Sequence, residues 1–107
     1  MKKFIIVETT YPNLKAAEKL AEILLSQKLA ACIHFCKIES RYVWQEKITK
    51  DQEILVRIKT ENSLFSKVEK IIKSNHSYEL PQIVAIEIDR ASKSYLQWLE
   101  SSLKTGK

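Results

Sequence analysis

The sequence predicts an α+β domain whose elements run β-α-β-β-α-β-α, and three observations carry that prediction. Apolar or alternating runs suited to strands occupy residues 4–7, 54–58 and 83–88. Two stretches between them, and one after the last, repeat apolar residues at helical spacing. No linker, repeat or low-complexity segment breaks the 107 residues. We therefore expect one domain, 1–107, with an ordered core over about 3–103.

Phe4-Ile5-Ile6-Val7 is continuously apolar and largely β-branched, as in a strand covered on both faces. Pro12 punctuates it, and Asn13 stands where an N-cap is wanted. Ala16, Ala17, Leu20, Ile23 and Leu24 then recur on one helical face, with Lys15, Glu18, Lys19 and Glu22 between them. From Ala31 to Trp44 the pattern loosens into an extended segment. After Gln45-Glu46-Lys47, the residues Ile54, Val56 and Ile58 alternate with Glu53, Leu55, Arg57 and Lys59. These two runs predict a long hairpin. Leu64, Phe65, Val68, Ile71 and Ile72 mark a second helix opened by Thr60, Asn62 or Ser63; it must end before His76, because a chain approaching Leu80-Pro81 leaves helical geometry. Ile83-Val84-Ala85-Ile86-Glu87-Ile88 is the fourth strand. Ser92 caps a third helix with Tyr95, Leu96, Leu99 and Leu103 on one side and Trp98 beside them.

That order is the split β-α-β, or ferredoxin-like, arrangement: a four-stranded sheet with two helices on one face and here an extra C-terminal helix. The other face should be polar in a monomer, yet strands one and four are apolar at nearly every position. Both faces want burial. The third helix can cover only a strip, so the pattern alone argues for self-association.

Composition removes whole classes of function. The one glycine is Gly106, in the terminal tail, which excludes a P-loop, a dinucleotide-binding turn and a nucleophile elbow. No nucleophile with a positioned base is recognisable, so an enzyme is not expected. The longest apolar stretch is far below the ~18 residues of a membrane span, and the basic, then briefly apolar amino terminus is too short for a signal peptide. We expect a cytoplasmic protein with no membrane partner. Eighteen basic against 13 acidic residues leave a net charge of +5, but the cations are scattered and the third strand offers aliphatic side chains, which do not stack bases. No nucleic-acid partner is expected.

Three groups of residues could carry chemistry. Cys32, His34 and Cys36 offer soft ligands, but the two cysteines stand roughly 13 Å apart in a regular strand, too far to share one ion or a disulfide. They read better as a small core residue and an incidental thiol. His76, Tyr78 and Glu79 share the loop before the last strand, where an imidazole, a phenol and a carboxylate could bind a divalent cation or orient a polar ligand. The same residues could equally end a helix and satisfy its backbone. Tyr42 and Trp44, two apart on the hairpin, point to one side as core or interface anchors.

Six blocks, in order, resemble one family. They are Val7-Glu8-Thr9-Thr10, Gln27-Lys28-Leu29-Ala30-Ala31-Cys32, Tyr42-Val43-Trp44-Gln45-Glu46-Lys47-Ile48, Ile58-Lys59-Thr60, His76-Ser77-Tyr78-Glu79-Leu80-Pro81 and Tyr95-Leu96-Gln97-Trp98-Leu99. From about Lys3 to Leu103 the sequence is similar to the CutA divalent-cation tolerance proteins. The resemblance implies a small cytoplasmic homotrimer with a ferredoxin-like subunit, associated with tolerance to copper and other divalent metals. It also implies an architectural likeness to the trimeric PII signalling proteins, and hence, as the alternative, a sensor that binds a small ligand between subunits. A copper site of a bacterial member uses a first-strand cysteine and two adjacent loop histidines, which match Glu8, Asn75 and His76 here. His76 and Glu8 are accordingly the expected ligands for a divalent ion, copper or zinc, that folding does not require. Tyr42, Trp44, Lys59, Tyr78 and Glu79 are the expected lining of an intersubunit cleft. Two turns where the family usually has glycine carry Glu46 and Cys36-Lys37 instead, so they must be built without it.

Overall fold

The computed structural model describes residues 2–104; Met1 and Gly106 lie outside the described residues. Eight residues from Phe4 to Tyr11 form β1. The chain then breaks at Pro12, and Asn13, in extended geometry, accepts the Ala16 N–H at 2.8 Å through its side chain to open α1, Leu14–Ser26. β2 (Cys32–Trp44) and β3 (Lys47–Glu61) make the long hairpin. A 3-10 turn at Asn62–Leu64 leads into α2, Phe65–Ser74. β4 spans Val84–Glu87, and α3 spans Lys93–Ser101 behind the Ser92 cap. The sheet order is β2-β3-β1-β4 with every pair antiparallel, the ferredoxin-like topology expected from the sequence. One boundary differs: α2 has no side-chain cap. The chain enters it through the 3-10 turn, whose Asn62 N–H is bonded to Lys3 O at 2.8 Å.

Alternation along the strands sorts residues between two faces. Ile5, Val7, Val56 and Ile58 meet Ala17, Leu20 and Leu24 of α1 and Val68 and Ile72 of α2 in one core cluster. Each fully buried aliphatic side chain there contributes about 1.5–3 kcal/mol relative to exposure. α3 adds Leu99, and Leu103 follows it into the same cluster. Thr60 is buried in this layer too, and its hydroxyl donates to Leu29 O at 2.7 Å. The opposite face carries Glu8, Arg57, Cys32, His34, Val84 and Ile86, and no helix covers β4 there, where Val84 and Ile86 are 45% and 43% exposed.

Turns without glycine are bought with backbone strain at three places. Gln45 and Glu46 both have positive φ, 51° and 67°, as a two-residue type I′ hairpin turn requires. Lys28 has φ 58° just past α1, where Leu29 N bonds Leu24 O and Lys28 N bonds Leu25 O, the Schellman closure of a helix. Each such residue costs about 1–2 kcal/mol that glycine would not.

Since β1 pairs with β3 only from Ile54 to Glu61, the outer parts of β2 and β3 form a two-stranded arm that runs past the sheet. At its tip Val43 and Ile48, paired with each other, are 71% and 85% exposed. The arm lengthens the molecule to 46 Å against 26 and 22 Å in the other directions. The accessible surface, 7261 Å², exceeds the roughly 6,200 Å² of a compact chain of this mass.

Candidate functional site

The loop between α2 and β4 is held over the end of β1 by His76. Its Nδ1 accepts the Tyr78 N–H at 3.1 Å, so Nε2 carries the proton and donates to Thr10 O at 2.6 Å. The ring also stacks on Tyr11, with centroids 4.1 Å apart, and leans on Tyr78 at 4.6 Å. Both ring nitrogens are therefore engaged within the chain.

Pinning the loop aims Tyr78 at β3. Its hydroxyl donates to Glu53 Oε2 at 2.7 Å, and Glu53 is only 7% exposed. Burial first, and then the Glu53 carboxylate, push the Tyr78 phenol well above its ordinary value, so it remains a donor. On the arm, the Tyr42 hydroxyl donates to Asp51, which likewise raises its ionisation. Arm and loop enclose an open cleft of about 620 Å³ between them, lined by Tyr42, Trp44, Glu53, Tyr78 and Glu79 and walled by the segment from Leu80 to Val84, apolar except for Gln82. Among the described residues no lysine or arginine lines it, in a chain whose net charge is +5.

Tyr42, Trp44, Tyr78 and Glu79 thus come together. Lys59 does not join them: its ammonium sits 3.1 Å from the Tyr95 hydroxyl and 4.9 Å from that ring's centre, against α3. Glu8 accepts from Arg57 Nε at 2.9 Å on the open face. Cys32 and His34 approach side by side, Sγ to Nε2 at 3.6 Å, whereas Cys36 contacts Lys37 O; both thiols are free. Among the described residues no three His, Cys, Asp or Glu side chains converge as a metal-binding group. Glu53, which lines the cleft, and Asp51, which holds the Tyr42 hydroxyl, escape sequence reading, because in an alternating strand a carboxylate looks like the solvent side. The loop that buries Glu53 arrives 25 residues later.

A family model described as CutA1 divalent ion tolerance protein matches residues 5–102. The chain is 40% identical over 101 residues to "Protein CutA, chloroplastic" of Arabidopsis thaliana, covering 94% of this chain and 56% of that protein. It thus spans little more than half the length of that plant relative. The divalent-cation tolerance protein CutA of Pyrococcus horikoshii is 36% identical over 100 residues, covering 94% of this chain and 98% of that one. The crystal structure of CutA1 from Oryza sativa superposes with a TM-score of 0.91 at 39% identity, over 95% of this chain and 94% of that one. The structure of an Archaeoglobus fulgidus protein, described as the periplasmic divalent cation tolerance protein CutA, gives 0.88 at 38% identity, over 95% and 98%.

Proposed function

We propose that this chain, which belongs to the CutA1 divalent ion tolerance family, acts in the response to divalent metal ions such as copper or zinc as a non-enzymatic cytoplasmic homotrimer. The family match over nearly the whole domain carries the metal reading. Two free thiols support a reducing compartment, although relatives bear chloroplastic and periplasmic in their names. No helix among the described residues is long and apolar enough to cross a membrane.

The donor set suggests how an ion would be taken. At His76 the nitrogen to open is Nδ1, because only the Tyr78 N–H has to be released, at 3.1 Å against 2.6 Å for the bond to Thr10. Glu8 stands two residues before Thr10 on the same strand and would have to leave Arg57. Two donors leave further positions for solvent or a second copy. Calorimetric titration with copper(II) and zinc(II) tests the reading: His76→Ala should weaken binding at least tenfold while light scattering shows the assembly intact. Unchanged affinity would remove His76 from the site.

A second reading, a PII-like trimer that senses a small ligand in an intersubunit cleft, is favoured by the cleft between the arm and the His76 loop. Its volume, about 620 Å³, falls within the range of about 300–1,000 Å³ usual for small-molecule sites.

A further inference from the structure

The cleft has a chemical bias that neither metal binding nor assembly explains. Its aromatic residues are Tyr42, Trp44 and Tyr78, and its charged residues are Glu53 and Glu79, both anionic. Glu53 is more than nine-tenths buried, and among the described residues its side chain accepts from the Tyr78 phenol, a neutral donor. Among the described residues no lysine, arginine or histidine forms an ion pair with Glu53 or Glu79. A carboxylate buried beside a neutral donor has room for a cationic partner, and a cation entering the cleft would supply it. Aromatic faces attract cations through their ring quadrupole, tryptophan most strongly. The Leu80-to-Val84 wall adds apolar surface that a bare hydrated ion cannot use.

From these features we propose that the cleft binds a small organic cation, an ammonium bearing alkyl groups, with Glu53 and Glu79 supplying the countercharge and Tyr42, Trp44 and Tyr78 the aromatic wall. An alkylated ammonium fits better than an inorganic ion. Its charge is spread over carbon, it needs no set of three converging donors, and no such set is present among the described residues. The inference rests on the second reading above, in which this cleft lies at the junction between copies and stays open there to a small ligand.

Choline is the probe, with its uncharged carbon isostere 3,3-dimethylbutan-1-ol and zinc(II) as comparators, titrated by calorimetry into the full chain. Choline should bind at least tenfold more tightly than the isostere. Glu53→Gln, which removes the charge and keeps the acceptor for Tyr78, should abolish most of that preference. Glu79→Gln, on an exposed side chain that folding does not need, should reduce it by a smaller factor. Equal binding of choline and the isostere, or a preference that survives both substitutions, would overturn the inference. So would no binding of either, or zinc(II) displacing choline at a site lost in Glu53→Gln. Light scattering on the same samples separates the two readings. A trimer that ignores choline defeats the inference and leaves assembly standing, whereas a monomer that binds choline does the reverse.

Discussion

At the scale of single residues, the end of β1 combines a pinned histidine with an unpaired phenol. Tyr11 is 1% exposed, and its hydroxyl, like that of Thr9, has no hydrogen-bond partner among the described residues. Burial pushes the phenol up to about 12. Its folded-state value lies above the ordinary value of 10.0, so the unfolded chain loses the proton first. This contribution to stability is intact below about pH 10 and lost progressively between about 10 and 12, on the order of 2–3 kcal/mol in all. Tyr11→Phe keeps the ring stacked on His76 and removes the orphan hydroxyl. It should raise stability at neutral pH by up to about 1 kcal/mol and flatten the alkaline decline, both readable from urea unfolding at pH 7 and pH 11. A loss of more than about 1 kcal/mol at pH 7 would mean that the hydroxyl has a partner. The sequence singles out His76, Tyr78 and Glu79 because one loop carries them. It does not disclose that His76 turns both nitrogens inward, since Thr10 lies 66 positions away.

At the scale of elements, local signals and structure agree wherever one face is buried. Asn13 and Ser92 both cap as their positions suggest, and the apolar spacing of α1 and α2 matches the faces buried against the sheet. The alternation around Ile54, Val56 and Ile58 locates β3 but not its full length. Lys47 to Glu53 pair only with β2, so no core imposes a pattern on the outer arm. The arm's turn is the costliest local feature, with Gln45 and Glu46 both at positive φ. Glu46→Gly relieves the steric part of that cost and should stabilise the chain by about 1 kcal/mol, less the added freedom of the unfolded glycine. A rise in the urea midpoint with unchanged slope checks this; a drop would mean that the Glu46 side chain holds the turn in some other way.

At the scale of the whole molecule, the unused surface matters most. The open sheet face and the arm expose Tyr42, Trp44, Val84 and Ile86 at about 40% or more, besides Val43 and Ile48 at the arm tip, while Phe35 is 39% exposed on the helix-covered side of the β2 edge. A two-stranded ribbon standing off its sheet is marginal alone, and β2 also offers an unpaired edge. Covering even about 1,000 Å² per copy is a gross gain on the order of 25 kcal/mol, against association costs of about 4–15 kcal/mol. Edges meeting head to tail about a threefold axis close into a ring, and Trp44→Glu should break that ring by burying a charge in it, a change light scattering would report. The apolar character of strands one and four is the sequence signal that argues for self-association, whereas the number of copies comes from the family resemblance alone. If the chain works as a metal-responsive trimer, native mass spectrometry of protein purified without chelator should find a species of three copies, each of 12.5 kDa, carrying retained divalent ions. A stable, folded, metal-free single chain would rule that reading out.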